Sequence, residues 1–303
     1  MRRAAKAAFA ISLGVAIILG LFAGVASSAP QAKPTIVMGT KNFPEEYILG
    51  ALYQQALQAK GFTVVNKGSL GSTEQIQTAL TSGKIDFYPE YTGVIVQDVF
   101  GKTSSGATAT ATTAEARKLE AAKGFTVLNP TPFYDTDVLV VLKTTAQKYG
   151  LKTISDLKKV GPFKLGGLPE CQTRNTCFLG YTKQYGLSKA TFVPFATTSI
   201  YSALSSGSIL AGDGFSTDPP LGGTAPKYVA LSDPKHVTGY QNVVPIVKTS
   251  VVTAAGSTFT STVNAVSAKL TLPAIIAMDT AVEVNKESAT SVAKAFLKAN
   301  GLL

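Results

Sequence analysis

Strand and helix signals alternate along most of the chain, and this alternation restricts the fold more than any other feature. Residues 35–39 (TIVMG) have the composition of a buried strand, and Pro44 opens a helix that Gly61 ends. A second strand, residues 62–66 (FTVVN), and a helix capped by Ser72 follow. Because strands separated by helices usually run parallel in one sheet, the pattern predicts an α/β fold with mainly parallel strands.

Two distant stretches of the chain resemble each other. Residues 76–93 (IQTALTSGKIDFYPEYTG) and 200–218 (IYSALSSGSILAGDGFSTD) both carry a helix end that leads into a short strand. An aromatic residue stands eight positions after the helix-ending glycine in each, Tyr91 in one and Phe215 in the other. Chance similarity stays open, because small residues dominate both stretches.

A looser similarity concerns cations. Lys41 and Arg174 each follow a predicted strand and precede a predicted helix. If the repetition is real, two similar lobes each present one aromatic and one cation from strand ends, where α/β sheets bind ligands. Two such lobes facing each other would form a cleft.

The N-terminal segment has the three parts of a secretory signal. Three cations within the first six residues precede an apolar run, residues 7–26, and small residues follow at 27–29. We expect a signal peptide over residues 1–28 and export from the cytoplasm. The apolar run is also long enough to span a bilayer, so an uncleaved N-terminal anchor is the alternative. The segment has no cysteine, and a lipid anchor is therefore not expected.

The charge of the chain is basic but not clustered. The sequence has 28 Lys and Arg against 18 Asp and Glu, a net charge of +10. The cations are scattered, with no run of five or more, which is typical of a solvated surface and not of a nucleic-acid-binding face.

The two cysteines, Cys171 and Cys177, stand six positions apart. In an exported protein a disulfide is the default state for such a pair, and two free buried thiols are the alternative. Together with the single distant His236 they do not supply the ligands of a zinc site. We expect no metal and no cofactor.

Motifs spread over the chain resemble the osmoprotectant-binding family of ABC importers, the ProX/OpuC type of glycine betaine and choline binding proteins. The motifs are GTKNFPEEYILGALYQQAL (39–57), YPEYTG (88–93), FYDTDVLVV (133–141), GLPECQTR (167–174), IYSAL (200–204), GFSTDP (214–219) and NVVPIV (242–247). The resemblance implies a two-lobed type II periplasmic-binding-protein fold with a hinge and an interlobe ligand cleft. It implies that lobe I comprises residues 34–135 and 216–303, and lobe II residues 136–215.

The resemblance also implies a set of ligand-binding residues. In this family a quaternary ammonium lies in an aromatic box, and the carboxylate of betaine meets cations and backbone donors. The box positions fall on Tyr91, Asp137, Tyr201 and Phe215, and the polar positions on Lys41, Asp135 and Arg174. Two of these depart from relatives, because Asp137 and Phe215 stand where tyrosines are found.

The function that follows is capture of a small quaternary ammonium compound and delivery to an ABC permease, by a monomer without catalysis. Two cations near the box favour a zwitterion, so glycine betaine is the first expectation, followed by choline, carnitine and proline betaine. Asp137 could instead favour choline, or be structural through a pair with a cation. The competing classes are an enzyme that uses paired acids such as Asp135 and Asp137, and an anchored envelope protein.

Overall fold

A computed structural model describes residues 33–102, 108–196, 199–222 and 226–303. The predicted signal peptide or anchor, residues 1–28, lies outside the described residues.

Within the described part of the chain, no single helix is long and apolar enough to cross a membrane. One pair of helical segments, Thr249–Lys269 and Leu272–Val284, has the length and composition only when taken together, and it is bent by 84°.

Strands and helices alternate as the sequence predicts. The strands are β1 (Ile36–Thr40), β2 (Val64–Ser69), β3 (Phe87–Tyr91), β4 (Phe125–Val127), β5 (Asp137–Leu142), β6 (Phe163–Gly167), β7 (Ala190–Pro194), β8 (Ala211–Phe215), β9 (Tyr228–Ala230) and β10 (Val243–Lys248). The helices are α1 (Pro44–Ala59), α2 (Thr73–Thr81), α3 (Thr92–Val94), α4 (Ala109–Ala121), α5 (Lys143–Tyr149), α6 (Phe178–Tyr185), α7 (Ser199–Ser206), α8 (Thr249–Lys269), α9 (Leu272–Asp279) and α10 (Ala289–Ala299). Short 3-10 and π-helical turns occupy Ile95–Val99, Ile154–Val160, Pro169–Thr173, Pro219–Leu221 and Thr280–Val284.

Local sequence accounts for the starts of the first two helices. Pro44 occupies the first turn of α1, where its missing N–H costs nothing. Ser72 and Gln75 form a capping box at α2, and the Ser72 backbone N–H donates to Gln75 Oε1 over 2.9 Å.

The strands form two five-stranded sheets with the same internal order. The first sheet runs β2-β1-β3-β10-β4 and the second β7-β6-β8-β5-β9. In both, the first three strands are parallel and the fourth is antiparallel to the third. The similarity seen in the sequence is therefore present in the topology, and β3 and β8 occupy equivalent central positions.

The assignment of β9 bears on the predicted lobe boundary. This strand pairs with β5 in the second sheet, through Val140 with Ala230 and Leu142 with Tyr228. A boundary drawn by sheet membership would leave the second sheet after Ala230, later than the predicted change at residue 216. The lobe bounds themselves stay a prediction.

Alternate residues of the central strands face opposite sides of each sheet. In β10, Val243 and Val247 join one apolar cluster, whereas Val244 and Ile246 join another. The clusters on the two faces bury both sides of the sheet, as expected for strands flanked by helices.

Two chain segments cross between the sheets side by side. Tyr134 and Asn242 form an antiparallel bridge, and the Asp135 N–H donates to the Gln241 carbonyl over 3.0 Å. The Asn242 side-chain amide donates to the carbonyls of Thr131 and Phe133, both over 3.0 Å. Together the two crossings make the hinge of the two-lobed fold.

Candidate functional site

A crevice lies between the two sheets, at the ends of their central strands. Its cavity volume is about 40 Å³, so it is narrow. The residues that line it come from both sheets and from the hinge: Lys41, Asn42, Phe43, Thr73, Tyr91, Val94, Asp135, Asp137, Leu168, Glu170, Cys171, Arg174, Cys177, Asp213, Phe215 and Gln241.

The structure brings six of the seven predicted ligand-binding residues to this crevice. They are Lys41, Tyr91, Asp135, Asp137, Arg174 and Phe215. Tyr91 is the last residue of β3 and Phe215 the last of β8, so equivalent strands of the two sheets deliver the two rings.

Tyr201 is the exception among the predicted residues, because it is not in the lining that the described residues form. Its hydroxyl donates to Asp218 Oδ2 over 2.6 Å, and its ring packs edge-on against Tyr228. The same carboxylate oxygen accepts the backbone N–H of Phe215 over 2.8 Å. Tyr201 therefore contacts the group that holds the end of β8.

Sequence reasoning missed a third ring in the crevice. Phe43 lies between the two predicted aromatics, with its centroid 6.2 Å from that of Tyr91 and 5.2 Å from that of Phe215. Both pairs are stacked, so the three rings form one aromatic wall. The sequence signal that could have identified Phe43 is its position directly before Pro44, which opens the helix.

Hydrogen bonds to buried groups fix Tyr91. The Tyr91 hydroxyl donates to Glu45 Oε1 over 2.6 Å, and Thr217 Oγ1 donates to the other Glu45 oxygen over 3.0 Å. Burial raises the pKa of Glu45 to about 7, although these two hydrogen bonds act to lower it. The ring of Tyr91 is thus held by its distal end, and its face is left to contact a cation.

Lys41 places its ammonium against that aromatic wall. Lys41 Nζ lies 4.2 Å from the centroid of Tyr91 and 5.4 Å from that of Phe43. It also forms an ion pair with Glu90 and lies 3.9 Å from Glu46 Oε1, with all three side chains buried. Burial raises the pKa of Glu46 to about 8, while Lys41 acts to lower it.

Arg174 is anchored across the crevice. Its Nε and Nη2 donate to Glu74 Oε1, and Nη2 also donates to Oε2, all over 3.2 Å. Partial burial acts to raise the pKa of Glu74, but the charge of Arg174 and the hydrogen bonds from Ser72, the backbone and Arg174 together outweigh it, so the pKa is lowered. Since Glu74 stands on α2 beside the first sheet and Arg174 follows β6, the pair joins the two lobes.

The loop that carries Arg174 is closed by a disulfide. Cys171 and Cys177 are bonded, which confirms the predicted pairing. The Arg174 backbone N–H donates to the Cys171 carbonyl, and its own carbonyl accepts from the Cys177 N–H, both over 3.3 Å. Among the described residues only these two cysteines with Asp213 cluster as metal ligands would, and the disulfide consumes the thiols.

Three aspartates complete the crevice, of which Asp135 and Asp213 are buried and Asp137 is half-buried. Burial raises the pKa of Asp137 to about 7, with Arg174 acting in the opposite direction. Burial also raises the pKa values of Asp135 and Asp213 well above their usual range, and the charge of Glu45 adds to this for Asp135 and that of Asp137 for Asp213. Asp135 accepts hydrogen bonds from Ser216 Oγ and the Thr217 N–H, over 3.2 and 3.3 Å.

Two similar sheets joined by a two-stranded hinge, with a charged and aromatic crevice between their strand ends, define a two-lobed binding protein of the type II periplasmic class. Comparison with known proteins gives the family. Residues 34–299 match the model described as the substrate binding domain of ABC-type glycine betaine transport system, and the chain belongs to this family.

Individual relatives agree with that assignment. The chain is 30% identical over 255 residues to the glycine betaine-binding protein YehZ of Escherichia coli, covering 77% of this chain and 82% of the relative. It is 35% identical over 141 residues to a glycine-betaine-binding protein of Pseudomonas aeruginosa, 46% of this chain and 43% of the relative. The fold is also that of a crystal structure of a glycine betaine/carnitine/choline ABC transporter, which superposes with a TM-score of 0.70 at 20% identity and covers 89% of this chain and 99% of that one.

Proposed function

We propose that this protein captures a small quaternary ammonium compound in the crevice between its lobes and delivers it to an ABC permease, without catalysing a reaction. The observation that carries the proposal is the aromatic wall of Tyr91, Phe43 and Phe215, which both lobes build beside buried carboxyl groups. Export by the N-terminal segment belongs to the same proposal, because a permease substrate has to be met outside the cytoplasmic membrane.

The physical chemistry of the ligand explains why such a wall is suitable. A fully alkylated nitrogen has no N–H to donate, so hydrogen-bond acceptors cannot hold it specifically. Ring faces attract it through their quadrupole, by about 0.5–2 kcal/mol per ring depending on desolvation. A micromolar complex needs about 8 kcal/mol, so three rings leave a remainder for charges and lobe closure.

The proposed contacts divide between the lobes. Tyr91, Lys41 and Asp135 face the ligand from the first sheet and the hinge, and Asp137, Arg174 and Phe215 face it from the second sheet. Tyr201 supports Phe215 through Asp218. Because the crevice is narrow, we expect the lobes to open for entry and to close on the ligand.

Calorimetric titration of the mature protein tests the proposal. Glycine betaine, choline, carnitine and proline betaine are the ligands, and proline is the control compound because its secondary ammonium keeps two N–H donors. We expect micromolar binding of at least one quaternary compound and a loss of at least tenfold in affinity in Tyr91→Ala. The exposed Tyr47→Ala, on α1 and outside the crevice lining, is the matched control. If no quaternary compound binds to the folded protein, the proposal is wrong.

N-terminal sequencing of the exported protein tests localisation separately. A mature N-terminus near Ala29 supports a cleaved signal, whereas an intact Met1 in the membrane fraction supports an anchor. Co-purification of a permease after mild crosslinking would support the delivery step.

A further inference from the structure

The charges around the crevice allow the class of ligand to be narrowed, and this inference rests on the proposed function. The lining contains two cations, Lys41 and Arg174, and four carboxyl groups. A ligand carboxylate would need a cation with unused hydrogen-bonding and charge capacity.

Both cations are already neutralised by glutamates that stand behind the lining. Arg174 gives three hydrogen bonds to Glu74, and 16% of its side chain is exposed. Lys41 is paired with the fully buried Glu90, which also accepts from Thr73 Oγ1 over 3.0 Å. If Lys41 turned to a ligand carboxylate, the fully buried Glu90 would be left unpaired, which is costly. At Arg174, a ligand carboxylate would have to compete with the three hydrogen bonds to the half-exposed Glu74.

Two of the carboxyl groups, in contrast, remain available for an ion pair or a hydrogen bond with a ligand. Within the described chain, no ion pair includes Asp137 or Asp213. Asp213 Oδ1 is buried with no hydrogen-bond partner among the described residues, and a buried acceptor left this way is unfavourable. Both side chains line the crevice on the side of the second sheet.

We propose that the ligand is a monocation without a carboxylate and with a hydroxyl group, of which choline is the simplest form. Asp137 supplies the counter-charge to the ammonium, and Asp213 Oδ1 accepts the hydroxyl. Glu74 acts as a specificity-determining residue, because it occupies the guanidinium of Arg174 that would otherwise bind a carboxylate. The same arrangement disfavours betaine-type zwitterions, since their carboxylate would face aspartates.

The experiment compares two ligands that differ at one end. Choline and glycine betaine share the trimethylammonium group, and choline has a hydroxyl where betaine has a carboxylate. We expect calorimetry at pH 7.5 to show choline binding at least tenfold more tightly. Asp137→Asn and Asp213→Asn should each weaken choline at least fivefold while weakening betaine less.

Glu74→Gln gives the sharpest variant, because its side chain is 52% exposed and the change should not disturb folding. We expect it to free Arg174 and to improve betaine affinity relative to choline by at least fivefold. Glu287→Gln, at an exposed position near the C-terminus, should change neither affinity.

Each outcome decides something. Betaine binding as tightly as choline, or an unchanged preference in Glu74→Gln, overturns this inference and leaves the proposed function standing. Failure of choline, glycine betaine, carnitine and proline betaine to bind overturns the proposed function and the inference with it. Thermal unfolding of every variant distinguishes lost affinity from lost folding.

Discussion

The ammonium of Lys41 lies 4.2 Å from the centre of the Tyr91 ring, so the protein's own cation uses the aromatic face proposed to receive a ligand. The same ammonium forms an ion pair with Glu90 and lies 3.9 Å from Glu46 Oε1. Lys41 is therefore part of the wall of the site, and its charge balances buried acids. We propose that Lys41 stabilises the first lobe more than it recognises a ligand carboxylate.

Replacement of Lys41 tests that role. Lys41→Met leaves Glu90 buried without its partner, and we expect the free energy of unfolding to fall by about 3–5 kcal/mol. Lys41→Met combined with Glu90→Gln should recover most of the loss, because no uncompensated charge then stays buried. Urea denaturation measures both.

The control for this prediction is a more exposed pair. Lys248 lies 2.9 Å from Asp86, and a quarter of its side chain is exposed. Lys248→Met should cost about 1 kcal/mol or less, as solvent screens such pairs. Equal losses of unfolding free energy in Lys41→Met and Lys248→Met would show that burial does not make the Lys41–Glu90 pair more important for stability.

Ligand binding should depend on pH through Asp137. Its pKa of about 7 reflects burial first, then a lowering by Arg174 and Lys41 and a raising by Asp98 and Glu170. A cationic ligand favours the charged carboxylate, so binding below pH 7 has to expel a proton. Affinity should therefore fall as the pH drops below 7, approaching tenfold per unit, and level off above pH 8.

Calorimetry with choline between pH 5.5 and 8.5 measures this dependence. Asp135 and Asp213 also face the ligand and also have raised pKa values, so the variant Asp137→Asn isolates one contribution. The variant should show a flatter profile than the wild type. If choline affinity changes with pH by the same slope in both proteins, titration of Asp137 does not cause the dependence.

The parts of the fold that could be predicted from the sequence are those that local sequence patterns determine. Strand composition, Pro44 and Ser72 mark the ends of elements, and each acts within a few residues of itself. The repeated aromatic after a helix-ending glycine correctly indicated that Tyr91 and Phe215 occupy equivalent strand ends, because topology repeats with local pattern.

The features that the sequence did not predict depend on contacts between distant segments. Glu74 and Arg174 are 100 positions apart, and nothing near either residue indicates that one neutralises the other. The stacking of Phe43 on Phe215 likewise depends on contacts between distant segments. So does the burial of Asp213 Oδ1 without a hydrogen-bond partner among the described residues. The expectation that two cations near the box favour a zwitterion stays a prediction, and the ion pairs of Lys41 and Arg174 are the contacts from which the choline preference is proposed instead.

A second interlobe contact predicts how closure is stabilised. Thr176 Oγ1, in the second lobe, donates to Asp98 Oδ2, in the first, over 2.7 Å, and Thr176 is fully buried. Thr176→Val removes this hydrogen bond with little change of shape, at a cost of about 1–3 kcal/mol to the closed form. We expect the ligand-free protein to become more open, with a larger radius of gyration in small-angle scattering.

Thr182→Val is the matched control for that prediction. The Thr182 hydroxyl donates to the Leu179 carbonyl over 3.0 Å, entirely within the second lobe. Its loss should leave the radius of gyration unchanged. If Thr176→Val also scatters like the wild type, the bond to Asp98 does not influence closure.

The disulfide should affect both stability and recognition. It closes a loop of seven residues, so its contribution to stability should lie near the lower end of about 2–4 kcal/mol. Its further effect is on Arg174, whose backbone is hydrogen-bonded to both cysteines of the loop. In Cys171→Ala/Cys177→Ala the loop gains freedom, the pair with Glu74 weakens, and we expect choline affinity to fall several-fold. Reduction of the wild-type protein, followed by calorimetry, provides the same test without a change of sequence. Affinity that stays constant while the unfolding temperature drops would limit the bond to stabilisation of the second lobe.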